Sequence, residues 1–386
     1  MSELIIRQNA GEQFRWQLLT TVSALAICGL LCTVDAAKAD DADHPTVWIE
    51  LGGQLERVQS DMEPFLPPFL QTSPRPSFEE QTSAEIQHQP RYAVGGEAKL
   101  LFAPEGSDWS VLASVRYGRS NGSKHVHQQT TQHKLTGLVA PGQPFYANLT
   151  AFGDTATAHR QSYAILDFMA GKDVGIGFGQ NGKASFDFGV RVAQFGSSST
   201  TTLHELPDPY IHRVPQPPNP FLPDLLKYRT YTHHHVFYAL NSITRSFSGV
   251  GPSLSFNGAS PVLGNEDELE VAFDWGINAA MLFGRQKVSG QHKTHGGYYT
   301  NKYASGYRPK TSYPSIPKPV SRSRRVTVPN VGGFAGLTFR HADAKVSFGY
   351  RADFFFGAMD GGIDTRNTST VSFHGPFATI SIGLGG

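Results

Sequence analysis

The feature that most constrains the fold is a two-residue alternation of apolar and polar side chains in strand-length segments. In the segment 47–56, VWIELGGQLE, Leu51 and Leu55 share one parity while Glu50 and Glu56 share the other. Successive side chains of a β-strand point to opposite faces, so this pattern gives a strand that is apolar on one face only. The chain is therefore expected to be all-β, with one apolar and one polar face to its sheet.

Ten such segments follow one another, and the intervals between them alternate between short and long. The predicted strands are 45–57, 91–102, 109–120, 160–171, 183–195, 240–257, 267–286, 325–340, 345–358 and 370–385. The long intervals are 58–90, 121–159, 196–239 and 287–324. Short periplasmic turns and long extracellular loops are typical of a transmembrane up-and-down antiparallel β-barrel, which in bacterial single chains has an even strand number. Ten strands are predicted; twelve is the alternative, because the stretch from Thr232 to Phe256 has room for two strands.

The N-terminal segment predicts export. Arg7 and Arg15 precede an uncharged apolar run that ends near Leu31, and Ala37-Lys-Ala39 follows it. A basic region, an apolar core and an A-x-A site are the parts of a secretory signal peptide. We expect residues 1–39 to be a cleaved signal peptide, residues 40–386 to be the barrel domain, and the bacterial outer membrane to be the location.

The polar parity of the strands is expected to line the lumen, because a Lys or Arg on the lipid face costs about 2–4 kcal/mol at the bilayer midplane. The pore-lining candidates are Glu50, Glu97, Lys99, Arg116, Asp187, Arg191, Glu268, Glu270, Asp274, Asn278, Arg351 and Asp353. The carboxylates of 268–274 on one strand favour a narrow, weakly cation-leaning pore for ions or small solutes. Acids and bases are nearly equal along these strands, however, and ten strands lie close to the size at which side chains fill a barrel. A salt-bridged, nearly closed lumen is therefore the alternative.

One long interval, 287–324, is unusually basic and contains no acidic residue. Its candidates for binding anionic ligands, counted through the next residue, are Lys302, Arg308, Lys310, Arg322, Arg324 and Arg325. Clustered cations attract polyanions such as surface sugars or phosphates. Because the interval 58–90 is acidic, the simpler alternative is that it folds over the basic one and caps the barrel mouth. A non-conducting structural or adhesin-like barrel that binds anionic surface ligands through this loop is the main alternative function.

Catalysis and metal binding have weaker support in the sequence. No Ser/His/acid arrangement is recognisable at strand ends, and Asp208 and His212 lie in a proline-rich stretch, so an outer-membrane hydrolase is the third-ranked function. His125 and His127 share a face in an extended chain, but the mature chain has no cysteine and no complete ligand set for zinc. We predict no enzyme activity, cofactor or metal. The expected partners are outer-membrane lipid and lipopolysaccharide, with a second copy of the chain or host surface molecules as further candidates, and no nucleic acid.

Several stretches resemble one family of outer-membrane proteins. They are, in chain order, DFMAGKDVG at 167–175, GVGPSL at 249–254, NAAMLFG at 278–284, VPNVGG at 328–333, FGYRADFFFGAMDGG at 348–362 and FHGPF at 373–377. This series resembles the Legionella-type major outer membrane protein family, which is described as pore-forming. The resemblance implies an outer-membrane barrel that is a pore or a surface antigen, and it supplies no catalytic residues. The chain departs from many barrels in that it ends in IGLGG at 382–386 rather than in an aromatic residue, with Leu384 as the nearest substitute.

Overall fold

The computed structural model describes residues 47–60, 92–140, 143–175, 182–206, 210–215, 228–264, 269–302, 307–315, 319–361 and 367–384. The strands are β1 (Val47–Ser60), β2 (Tyr92–Phe102), β3 (Trp109–Ala140), β4 (Gln143–Asp173), β5 (Lys183–Leu206), β6 (Tyr210–Pro215), β7 (Tyr228–Leu263), β8 (Glu270–Lys302), β9 (Tyr307–Ser315), β10 (Val320–His341), β11 (Ala344–Asp360) and β12 (Thr368–Leu384). In these ranges, no helix is long and apolar enough to cross a membrane. The predicted signal peptide, 1–39, lies outside the described residues.

The strands close into an antiparallel barrel of ten strands. Around the ring the order is β1, β2, β3, β4, β5, β7, β8, β10, β11 and β12, and β12 pairs with β1 to complete it. The short strands β6 and β9 lie outside the ring, on the far ends of β7 and β8. The stretch from Thr232 to Phe256 lies within one strand, β7. The prediction of ten strands in an up-and-down order is therefore confirmed.

The outer wall of the barrel carries an apolar belt. On β1, Leu51 and Leu55 are exposed while Gln54 and Glu56 of the opposite parity are buried inside. The same alternation continues around the ring, with exposed side chains that include Val94, Val111, Phe188, Leu254, Ile277, Val331, Phe348 and Ile380. An apolar outside and a polar inside are what a membrane-spanning barrel requires, because lipid solvates neither charges nor open backbone.

Five strands continue far beyond the belt on one side. Here β3, β4, β5, β7 and β8 run on, with β7 reaching 36 residues, whereas β1, β2, β11 and β12 stay short. We call the end with the short turns the turn end, and the projecting part with β6 and β9 the extension sheet. Pairing of β3 with β4 continues to Ala140 and Gln143, although 121–159 is predicted above as a loop. The predicted strands are therefore shorter than the observed ones. Above the lipid the side chains need not alternate between apolar and polar, but the backbone N–H and C=O groups still pair.

Candidate functional site in the barrel lumen

The lumen contains a layer of ion pairs that reach across it. Arg116 on β3 donates to Asp353 on β11 at 2.5 Å, although the two strands are four places apart in the ring. Arg351 on β11 donates to Glu97 on β2 at 2.5 Å, and its guanidinium carbon lies 5.0 Å from the ring centre of Phe377. Arg116 is 7 % exposed and Asp353 is 1 % exposed. These side chains therefore fill the interior rather than line an open channel.

A second group of bonds in the same layer centres on Arg191 of β5. Its guanidinium forms a two-pronged contact with Asp167 of the neighbouring strand, at 2.6 and 3.1 Å. It also donates to Asn278 on β8 at 2.7 Å and to Asn330 on β10. A planar guanidinium that donates hydrogen bonds from all three of its nitrogens is held in one orientation. We call the residues of these two groups the charged layer.

Carboxylates nearer the turn end are also paired. Arg340 on β10 lies 3.3 Å from Glu270 and 3.8 Å from Asp274, both on β8. Asp274 also accepts a hydrogen bond from Thr338 at 2.5 Å. These are the acids on which the predicted cation preference depends, and Arg340 offsets their charge. Their neighbour Glu268 lies outside the described residues.

Above the charged layer, towards the extension sheet, the lumen is closed by aromatic rings. Phe195 on β5 and Phe373 on β12 belong to strands five places apart in the ring of ten, which is the full width of the barrel. Their ring centres lie 5.4 Å apart. Phe195 also contacts Phe247 at 5.6 Å and Phe355 at 4.6 Å. Together with Tyr163, whose ring centre is 4.4 Å from that of Phe373, these rings form what we call the aromatic layer.

Two glycines make room for the tyrosine of this layer. A Cβ at Gly118 would lie 2.2 Å from the Cε1 atom of Tyr163, and one at Gly95 would lie 2.7 Å from its hydroxyl oxygen. The hydroxyl of Tyr163 donates to the carboxylate of Glu56. Glycine at these lumen positions therefore lets the tyrosine pack against the wall while its hydroxyl reaches Glu56.

A third layer of polar side chains lies at the mouth. Arg322 of β10 forms a two-pronged bond with Asp360 of β11, and Arg324 donates to Gln286 of β8 at 2.8 Å. Arg245 of β7 donates to the backbone oxygen of Asp360 at 3.2 Å. The prediction placed Arg322 and Arg324 in a surface loop that binds anions. They are instead on the lumen parity of β10, where Asp360 offsets their charge.

The pore-lining candidates fall on the lumen side wherever the structure describes them. This holds for Glu50, Glu97, Lys99, Arg116, Asp187, Arg191, Glu270, Asp274, Asn278, Arg351 and Asp353, which lie opposite in parity to the exposed apolar residues. For Lys302, Arg308 and Lys310 the structure gives backbone pairing on β8 and β9 and no side-chain placement. Arg325 is exposed on the outer wall.

The aromatic layer was missed in the sequence, although a signal for it was present. Phe195, Phe247 and Phe355 each occupy the polar parity of their strands, where the alternation predicts a lumen-facing polar residue. In the run Phe354-Phe355-Phe356 the middle residue breaks the alternation, so it could have been recognised as an inward aromatic. Apolar residues at lumen positions are expected where a barrel is filled rather than open.

Histidines of the extension sheet gather around one acid. His125 contacts the carboxylate of Asp154, and Nδ1 of His127 lies 3.6 Å from the same oxygen. Opposite Asp154 on β5 is His204. Within the described ranges, no group of three or more His, Cys, Asp or Glu side chains is arranged to hold a metal ion.

Comparisons with known proteins give only distant likenesses. No family model and no curated protein matches the chain. Among solved structures, the monoaromatic hydrocarbon channel CymD is 8 % identical, covers 89 % of this chain and 90 % of its own, and has a TM-score of 0.21. The Pseudomonas putida toluene transporter TodX is 10 % identical, covers 90 % and 91 %, and has a TM-score of 0.18. At these TM-scores neither likeness carries an argument about fold or function, and the barrel rests on the strand pairing above.

Proposed function

We propose that the protein is an outer-membrane barrel whose lumen is a narrow channel for ions or small solutes, closed in the present conformation. The observation that carries the proposal is the contact of Phe195 with Phe373 across the whole width of a lumen that is polar above and below it. A lumen made only to fill space has no need of charges on both sides of one apolar constriction. Hydrophobic constrictions between polar segments gate channels by excluding water.

The outer membrane is the membrane that fits this design. Spanning barrels with short turns at one end and long elements at the other are typical of it. The turn between β10 and β11 is minimal, with Ala342 at φ 46°, whereas the extension sheet leaves the opposite end. In this orientation the turns face the periplasm and the extension sheet faces the outside, where it is available as a surface antigen.

The predicted cation preference stays part of the proposal in a restricted form. Glu270 and Asp274 favour cations only when Arg340 moves away from them, because at 3.3 and 3.8 Å it offsets their charge. If the lumen opens so that Arg340 moves away from Glu270 and Asp274, both carboxylates face the lumen without a direct ion pair. Lys345 of β11, which lies opposite Arg340 in the strand pairing, is a further cation at that level, so the preference for cations stays weak.

A second candidate function rests on the extension sheet. Strands of 31 to 36 residues are far longer than the nine to eleven residues or so that a barrel strand needs to cross a bilayer. If the lumen never opens, the barrel is an anchor, and the extension sheet is the functional part that meets sugars, phosphates or other cells. This is the non-conducting, adhesin-like alternative.

Planar-bilayer recordings on the refolded full chain separate the two candidates. We expect the native protein to show rare, small openings, because the layers must move before ions pass. The variant Phe195→Ala/Phe373→Ala removes the contact across the lumen and should open more often and for longer. Phe188→Ala is the matched control, since Phe188 lies on the lipid side of the same strand as Phe195. If both the native protein and the double variant stay silent while correctly folded, the channel proposal fails and the anchor is the better account.

A further inference from the structure

Three basic side chains form a patch on the outer wall of the barrel. Arg285 and Lys287 of β8 and Arg325 of β10 are exposed and share the parity of the lipid-facing residues. Arg285 lies directly opposite Arg325 in the pairing of the two strands. We call these three residues the outer basic patch. It is distinct from the lumen and from the channel proposed there.

Within the part of the chain that the structure describes, the patch has no acidic partner. Among the described residues none of its three members forms an ion pair. The neighbour of Arg285 on β7 is Ser248, and the residues beside Lys287 are Ser246 on β7 and Ser323 on β10. Like charges placed directly opposite each other on neighbouring strands are destabilising. A bound anion would remove this repulsion, and the hydroxyls of Ser246 and Ser248 would add donors beside it, whereas that of Ser323 donates to the backbone oxygen of Gln286.

The position of the patch indicates what kind of anion it meets. The next outward-facing residue of β8 towards the turn end is Phe283. It lies opposite Val250 of β7, and both are exposed on the apolar belt. The patch therefore lies at the upper edge of the belt, where the acyl chains of a lipid end and its headgroup begins. A free anion in solution has no reason to prefer this level of the wall.

We infer that the outer basic patch binds the phosphate group of a phosphorylated glycolipid in the leaflet that surrounds the extension end. Side chains directly opposite on neighbouring strands have Cβ atoms about 4.5–5.5 Å apart, so Arg285 and Arg325 reach the same phosphate. Each planar guanidinium can form a bidentate pair of hydrogen bonds with two phosphate oxygens. The acyl chains lie on Phe283 and Val250 below, and Lys287 adds a third positive charge above.

The test measures lipid adducts of the refolded full chain in neutral detergent by native mass spectrometry. The probes are bisphosphorylated lipid A, its dephosphorylated form and inorganic phosphate. We expect lipid A to bind and the dephosphorylated form not to. Arg285→Gln/Arg325→Gln should weaken lipid A binding by at least about tenfold, because charge-assisted hydrogen bonds are lost. Arg285→Lys/Arg325→Lys keeps the charge but cannot form bidentate hydrogen bonds. Its affinity for lipid A should lie between those of the native protein and the Gln variant.

The matched control removes the same charge elsewhere on the outer wall. Arg119 of β3 and Arg160 of β4 are exposed and do not lie opposite each other: Arg119 lies between Val94 and Ser162, and Arg160 between Asn121 and Ser198. Arg119→Gln/Arg160→Gln should change lipid A binding by less than about fivefold, as for ordinary exposed charges. An equal loss in the control would show diffuse attraction and overturn the site. Equal binding of dephosphorylated lipid would overturn the role of phosphate, and competition by inorganic phosphate at matched concentration would overturn the lipid as its source. Retained heat-modifiable migration of each variant shows that it still folds.

Discussion

The aromatic layer and the charged layer close the same lumen by different physics. Phe195, Phe247, Phe355 and Phe373 close it by dispersion contacts and exclusion of water, which need no partner of defined charge. Arg116 with Asp353 and Arg191 with Asp167 close it by bonds that are strong only while both partners are present. A hydrophobic closure is weakened when a substitution leaves a cavity, whereas an ionic closure is weakened when a substitution leaves one charge without its partner. The two layers should therefore react in opposite ways when a second substitution is added to a first.

The largest expected effect is in the aromatic layer. Phe195→Ala should destabilise the barrel by about 3–5 kcal/mol, because a buried ring leaves a cavity that its neighbours cannot fill. Phe195→Ala/Phe373→Ala should cost more than either change alone, since the cavity spans the lumen. Unfolding by urea in micelles, followed by tryptophan fluorescence, measures both.

The control for this comparison is Phe188→Ala on the lipid side of β5, where detergent or lipid fills the space that is left. We expect a clearly smaller loss of stability there. If Phe188→Ala costs as much as Phe195→Ala, the ring of Phe195 is not in a packed interior and the aromatic layer does not close the lumen as described.

The next effect is in the charged layer, and here the second substitution should help. Asp353→Asn leaves Arg116 buried without its partner, and a broken buried ion pair costs about 3–5 kcal/mol. Arg116→Met/Asp353→Leu removes both charges together and should cost less than Asp353→Asn alone. The same unfolding experiment gives the coupling free energy as a double-mutant cycle.

A suitable reference for the charged layer is Glu50→Gln, because Glu50 is half-buried nearer the turn end and accepts a hydrogen bond from Ser381 at 3.1 Å. Glu50→Gln should therefore lower the free energy of unfolding only slightly. Additive costs in the cycle between Arg116 and Asp353 would mean that the two side chains do not interact and that the ionic closure is absent.

The contrast between the layers also shows how far the sequence could predict the molecule. Ten strands and their faces were predictable because lipid imposes a strict parity, as Leu51 against Glu50 shows. The extension sheet was not, since beyond the belt that constraint ends and residues such as those of 121–140 alternate no longer. The pairing of Arg322 with Asp360 was also out of reach, because β10 begins at Val320 rather than at 325 and partners across a lumen cannot be seen in one strand.

A smaller effect is expected on ion selectivity and depends on the channel proposal. Glu270→Gln/Asp274→Asn leaves Arg340 and its neighbour Lys345 without these two acids at that level of the lumen. In bilayers of a protein opened by Phe195→Ala/Phe373→Ala, the reversal potential under a salt gradient should shift towards the anion value. Asp187→Asn is the comparison, because Asp187 is bound by Ser255 and Asn257 rather than by a cation. A shift of equal size there would mean that total charge, and not this group, sets the selectivity.

The smallest effect is electrostatic and lies outside the membrane, on the extension sheet. The hydrogen bond from His125 holds the pKa of the Asp154 carboxyl below its usual value of 3.8. Because this pKa is lowered in the folded protein, the contribution of Asp154 to the β3–β4 hairpin is fully present above pH 3.8 and is lost as the pH falls through the folded value. The side chain of Asp154 is 38 % exposed, so the effect is local and screened by salt. Amide hydrogen exchange of residues 121–160 in the refolded full chain, compared between the native protein and Asp154→Asn, should show extra protection in the native protein at about pH 5 that declines as the pH falls below 3.8. A difference between the two proteins that stays constant over that range would show that the charge of Asp154 does not stabilise the hairpin.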